Sequence, residues 1–222
     1  MRIAAVAGAA TAAAAALSAG VRAGLTAAPR LARGSTPAAR GYDATLGRAL
    51  AGLYQAVARD LRDRLASDDP EHIVDIGAGP GGLVVALAAQ FPTATVTAVD
   101  IDPGMAALAR HRIERTGLAD RACVLVGDVG SLPLPTGSAD LVTSSFSVHH
   151  WPDAPAGFAE VRRILRPGGR AIVYDIPDWW ARLETKAPPL APAAAAGGFP
   201  GVATTALPWP GPLRLVRRAD LV

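Results

Sequence analysis

One cysteine, Cys123, in 222 residues excludes a disulfide framework and any zinc site built from several thiolates. Acid is missing from residues 1–40, which hold Arg2, Arg22, Arg30, Arg33 and Arg40. The formal net charge of +3 therefore divides into +5 there and −2 over the rest, where 17 basic and 19 acidic side chains remain. The basicity belongs to a leader, so it points to no nucleic-acid partner. A strongly apolar run and an internal repeat are lacking too. Half of the residues are hydrophobic and 18% are charged, a globular composition at a length that suits one domain with a full core.

Residues 1–40 are read as an Ala/Arg-rich leader and 41–222 as the folded domain. The uncharged stretch from Ile3 to Val21 would be about 28 Å long as a helix, close to a hydrocarbon core of about 30 Å. Alanine is only weakly apolar, so several readings fit: a membrane anchor, a cleaved secretory signal, an organellar transit peptide, or a plain Ala-rich extension from an upstream start codon. If residues 3–21 span, four arginines follow the run and one precedes it, which places the domain on the cytoplasmic side as a tethered protein.

Residues 29–41 form a Pro/Gly/Arg linker. From Tyr42 to Ala66 apolar residues recur at three- and four-residue steps (Leu46, Leu50, Leu53, Tyr54, Val57, Leu61, Leu65), which predicts an amphipathic helix ended by Ser67 to Pro70. Short apolar runs then alternate with helical stretches. Strands are predicted at 72–76, 95–99, 122–126, 139–146 and 170–176, and helices at about 81–90, 103–116 and 154–166. That alternation implies parallel pairing with helices on both faces. Residues 187–200 read as a low-complexity linker, and the segment around Pro208 to Gly211 as the turn of a hairpin.

The first strand runs straight into Val74-Asp75-Ile76-Gly77-Ala78-Gly79-Pro80-Gly81-Gly82. Glycines here let the chain turn sharply and let a ligand touch backbone, and the next helix offers its N-terminal N–H groups. Gly77-x-Gly79-x-x-Gly82 also fits a nicotinamide dinucleotide fingerprint, and a tight turn without ligand is the plain alternative. Carboxylates at successive strand ends favour another ligand. Asp75 suits an ammonium and would repel a pyrophosphate. Asp100 closes the second strand and can accept from two ribose hydroxyls. Asp128 follows the third and can accept from an adenine amine. Each aspartate is also a common turn former or helix cap. An amino acid, a ribose and an adenine along one sheet edge describe S-adenosylmethionine better than NAD.

On these residues the chain resembles the class I S-adenosylmethionine-dependent methyltransferases, in particular the methyltransferase type 11 group. VDIGAGPG (74–81), TAVDID (97–102), GDVGSLPLPTGSADLV (127–142), SSFSVHHWPD (144–153) and ILRPGGRAIVYD (164–175) carry the resemblance in order. It implies an α/β, Rossmann-like, doubly wound sheet of seven strands, mostly parallel with an antiparallel last strand. It also implies that Asp75, Gly77, Ala78, Gly79 and Gly81 line the methionine side, that Asp100 and Ile101 hold ribose and adenine, and that Asp128 and Val129 hold the adenine amine. Ser144 or Ser145 would lie near the methionine moiety, and Tyr42 would cover the cofactor. In this family the region after the fifth strand often shapes the acceptor pocket.

The expected function is methyl transfer to a small-molecule or lipid-like acceptor. The rivals are a cofactor-binding but catalytically silent partner protein and an NAD-dependent oxidoreductase. His149 and His150, just past the fourth strand, are the candidate general bases. The competing reading makes HHW the start of the next helix, with a histidine packing on Trp151 or capping backbone. No metal is expected. Trp179 and Trp180 are either core or the wall of an apolar acceptor site. Arg162, Arg163 and Arg166 read as a solvated helix face.

Overall fold

The computed structural model describes residues 48–65, 69–207 and 217–221. The leader, Tyr42 and the hairpin turn lie outside them. The amphipathic stretch forms α1 (Arg48–Leu65), which buries Leu50, Leu53, Tyr54, Val57, Ala58, Leu61 and Leu65 along one face. Strand β1 (His72–Ile76) follows, then α2 (Gly82–Gln90), β2 (Thr95–Asp100), α3 (Pro103–Arg115), β3 (Ala122–Val126) and β4 (Ala139–Ser145). A 3-10 turn (Val148–His150) leads to α4 (Ala154–Ile164) and β5 (Leu165–Asp175). The chain continues through α5 (Asp178–Thr185), α6 (Leu190–Ala196), β6 (Val202–Ala206) and β7 (Arg217–Leu221). Among the described residues no helix is long and apolar enough to cross a membrane.

The seven strands form one sheet in the order β3-β2-β1-β4-β5-β7-β6. The first five are parallel, and β7 runs antiparallel between β5 and β6. The expected seven-stranded, mostly parallel sheet with an antiparallel last strand is what the chain forms. Successive residues of the central strands feed opposite cores, because side chains alternate across a pleated sheet. Ile73, Ala98, Leu141 and Ile172 pack under α1, α2 and α3. Val74, Val142, Ala171 and Val173 pack with Phe158, Val161 and Ile164 of α4. Helix α3 starts on Asp102, whose carboxylate accepts from the Gly104 N–H at 2.7 Å, and α4 starts on Asp153, which accepts from the Ala156 N–H at 3.0 Å.

The structure departs from the sequence reading in three places. The stretch 187–200 is not a featureless linker: α6 lies within it, with Ala193, Ala194 and the following Phe199 buried on the α4 side. Strand β5 begins at Leu165, opposite Ala139, and its main pairing resumes at Arg170 opposite Leu141, after the chain bulges through Pro167 to Gly169. The arginines of α4 and its end are not a merely solvated face. Arg163 donates to the carbonyls of Leu132 and Leu134 and to Glu160, which pins the loop between β3 and β4, and Arg166 pairs with Asp140 on β4. Arg162 lies over the Phe199 ring, 5.7 Å from its centroid.

Candidate active site

The order β2-β1-β4 puts the chain reversal of the sheet between β1 and β4, where an open α/β sheet leaves a crevice at its carboxyl edge. Gly77, Gly79 and Gly81 all adopt φ between 54° and 78°, a region that favours glycine. The Gly77 N–H donates to the Val99 carbonyl at 2.8 Å, which locks the loop to β2. A side chain on Gly79 would meet nothing within 4 Å, so this backbone faces open space. Gly81 caps α2 without any side-chain acceptor.

Asp75 is fully buried, and neither of its carboxylate oxygens accepts a hydrogen bond among the described residues. Burial, reinforced by the charge of Asp100, pushes its carboxyl well above the usual carboxylate range. Thr143, its register partner on β4, is also buried, with a hydroxyl that has no partner among the described residues. A carboxylate and a hydroxyl left unsatisfied side by side mark a place for a donor-bearing ligand.

Asp100 accepts from the Gly79 N–H at 2.7 Å and the Asp102 N–H at 2.9 Å, so it joins the glycine loop to the start of α3. Burial raises its carboxyl, and those two backbone donors pull the other way. Beside it, Ile101 is 63% exposed, and Val126 on β3, the register partner of Asp100, is also exposed. Two exposed apolar residues therefore neighbour Asp100, one in sequence and one in register.

Other predicted site residues are placed differently. Asp128 is exposed, and one of its oxygens accepts from the Gly130 N–H at 2.8 Å, a turn-forming bond. Val129 packs against the α4-side core. The two serines separate. Ser144 is buried with the α4-side residues of β4, while Ser145 shares the face of Thr143 and is half-buried.

At the end of β4 the chain turns through Phe146, at φ 55°, into the 3-10 turn. HHW does not start α4. His149 is buried, its Nδ1 donates to Asp175 Oδ1 at 2.6 Å, and its backbone N–H donates to Asp175 Oδ2 at 2.9 Å. His150 packs against it with ring centroids 4.0 Å apart, and burial, followed by the neighbouring imidazole, lowers its pKa to about 4. A hollow bounded by Val148, His149, Asp175, Ile176, Ala181 and Ala187 opens beside the pair. Trp180 is buried core, and its stacked neighbour Trp179 is 49% exposed.

Sequence reasoning missed Thr143, Asp175 and Val126. Asp175 closes β5 as Asp100 closes β2, so the rule that singled out Asp75, Asp100 and Asp128 would have found it.

Residues 74–173 match the family described as Methyltransferase domain. The chain is 34% identical over 124 residues to the ubiquinone/menaquinone biosynthesis C-methyltransferase of Paracoccus denitrificans, covering 56% of this chain and 50% of that one. It is 37% identical over 147 residues to the malonyl-[acyl-carrier protein] O-methyltransferase of Hahella chejuensis, covering 64% and 48%. The chain thus spans about half the length of the curated relatives it matches. The solved structure of a SAM-dependent methyltransferase from Aquifex aeolicus has the same fold, with a TM-score of 0.62 at 17% identity over 76% of this chain and 90% of that one. The strand order, the glycine loop ending β1 and these matches agree: residues 74–173 match the methyltransferase domain family, and the sheet has the fold of the class I S-adenosylmethionine-dependent methyltransferases.

Proposed function

We propose that the protein binds S-adenosylmethionine along the edge from β1 to β3 and transfers its methyl group to a small-molecule or lipid-like acceptor. The observation that carries this reading is Asp75: a buried carboxylate with no hydrogen-bond donor among the described residues, at the end of the first strand and beneath an open glycine loop. An ammonium supplies what it lacks, whereas a pyrophosphate would add negative charge. Asp100 would hold ribose hydroxyls, with Ile101 and Val126 against the adenine, Asp128 toward its amine, and Ser145 on the methionine side. Tyr42 lies outside the described residues, and its role as a cover belongs to the same reading.

The bound cofactor supplies a methyl group already activated on a sulfonium. What remains for the protein is alignment, exclusion of water and, for a hydroxyl or amine acceptor, removal of a proton. His149 is placed for that step. Its Nδ1–H is committed to Asp175, so Nε2 carries the lone pair, and the carboxylate stabilises the imidazolium formed on proton uptake. His150 stays neutral beside it and adds no competing charge. Exposed Trp179 and Leu183 (74% exposed) on α5 supply apolar surface near the turn that carries the histidines, which supports an apolar acceptor. The names of relatives agree: a quinone-pathway C-methyltransferase, a malonyl-carrier O-methyltransferase and a sterol 4-C-methyltransferase. A domain using this cofactor belongs with its supply, so a cytoplasmic setting is part of the proposal, with residues 3–21 as a tether.

Calorimetric titration with S-adenosylhomocysteine and, separately, NADH tests the cofactor: the first is expected to bind and the second not, and NADH binding alone would overturn the reading. Transfer of labelled methyl into fractionated host extract then tests turnover. Label in the small-molecule or lipid fraction is expected, and cofactor binding with no label in any fraction would favour a silent partner protein.

A further inference from the structure

Three potential ligand atoms converge beside the proposed base. One imidazole nitrogen of His149, one of His150 and one carboxylate oxygen of Glu184 all lie within 4.8 Å of one another. The histidines come from the turn after β4 and the glutamate from α5, so only the fold brings them together. Thr185 fastens the two elements: its hydroxyl donates to the His149 carbonyl at 2.6 Å. Its neighbour Glu184 is thereby held against the imidazoles.

The support around the cluster has the form that metal sites use. An imidazole that ligates through one nitrogen commonly donates its other N–H to a carboxylate, which fixes both tautomer and ring orientation. Asp175 does this for His149, and a second bond to the His149 backbone N–H holds the same carboxylate. His149 is buried, while His150 and Glu184 are half-buried, so the cluster is sheltered yet can be reached. Two nitrogens and one oxygen suit borderline transition-metal cations, whereas calcium and magnesium take mostly oxygen. Side-chain packing alone would explain two histidine rings in tilted contact. It does not explain why a carboxylate from a separate helix is brought within the same few ångströms.

We propose that His149, His150 and Glu184 form a binding site for one divalent transition-metal ion of the zinc type. His149 would ligate through Nε2, the same lone pair that the proposed proton transfer uses. Metal occupancy and base function at His149 then exclude one another, which makes the site metal-sensitive. The inference goes beyond methyl transfer and is tested without it.

The experiment uses the untagged full chain, stripped with a chelator and titrated with cobalt(II) by visible absorption and with zinc(II) by calorimetry. Glu184→Gln and His150→Gln are carried in parallel, with circular dichroism to report folding and S-adenosylhomocysteine titration to report the cofactor site. One equivalent of metal is expected to bind, magnesium is expected not to compete, and each substitution should weaken affinity at least about tenfold. Absence of saturable binding near one equivalent, or binding that both folded variants retain at full strength, would overturn the proposal. Failure of the homocysteine arm alone would count against the cofactor assignment and leave the metal arms decisive.

Discussion

Ser147 Oγ occupies the space that a side chain on Gly77 would need: a Cβ built there would lie 1.9 Å from it. The same oxygen accepts from Trp151 Nε1 at 3.1 Å. The glycine loop after β1 and the turn carrying the histidines are therefore one packed unit, and under the proposed function this hydroxyl joins the cofactor side to the acceptor side.

Gly77→Ala should damage both sides. An alanine at φ 69° is strained by roughly 1–2 kcal/mol, and its methyl must displace Ser147 and break the bond from Trp151. Urea denaturation should show a loss of at least that size. Ser147→Ala in the same background removes the oxygen that clashes and should recover part of it, so a double variant no more stable than Gly77→Ala would contradict the packing argument.

Asp75 gives a pH signature. Its folded carboxyl is raised by burial, so between the unfolded value of about 3.9 and the raised folded value the native state binds more protons than the unfolded chain. Stability must fall as pH rises through that window and level off above the folded pKa. Asp75→Asn removes this slope, so the wild type should lose ground to the variant as pH increases. Affinity should change in the opposite sense: S-adenosylhomocysteine should bind the variant about ten- to a hundredfold more weakly, as expected when a charge-assisted hydrogen bond of about 1.5–3 kcal/mol is lost. A variant that keeps wild-type affinity would remove Asp75 from the site.

The parts of this molecule legible in the sequence are those set by short-range pattern. The strand at 72–76 and the helix from 103 lie where the short apolar runs and the helical stretches between them put them, and Asp75 and Asp100 stand at strand ends because such ends are easy to see. Helix α6 was hidden because an Ala/Pro/Gly stretch has little amphipathic period; it is stabilised by burying Ala193 and Ala194 against α4 and β6. Asp175 and His149 are 26 residues apart, and Glu184 comes from a helix that no local signal links to the histidines. Their meeting depends on β4 and β5 being neighbours. Residue spacing alone carries no such information.

If His149 takes the acceptor's proton, Asp175→Asn should lower labelled methyl transfer by about a hundredfold or more, the range of general-base catalysis. Cofactor affinity should stay unchanged, because Asp175 bonds to the histidine turn and its own strand end. His149→Ala combined with Asp175→Asn should be no worse than His149→Ala alone, since the two act as one unit. Additive losses would mean that Asp175 serves the acceptor independently of the imidazole.

The last strand holds the first helix. Arg218 on β7 is 3% exposed and donates to both carboxylate oxygens of Asp60 on α1, at 2.8 and 3.0 Å, and Tyr174 on β5 donates its hydroxyl to the same carboxylate at 2.8 Å. Asp60→Ala would leave a buried guanidinium that keeps, among the described residues, the bond from Nε to Asp220. Removing one member of a buried pair costs about 3–5 kcal/mol, and the retained contact to Asp220 places this case toward the lower end. Tyr174→Phe removes one hydrogen bond and should cost about 1 kcal/mol. Arg218→Met together with Asp60→Leu replaces the pair by apolar bulk and should recover much of the loss, because both desolvation penalties disappear. Urea denaturation of the four proteins decides the point: a double variant as unstable as Asp60→Ala would show that the charges themselves, and not the cost of orphaning one, hold α1 to the sheet.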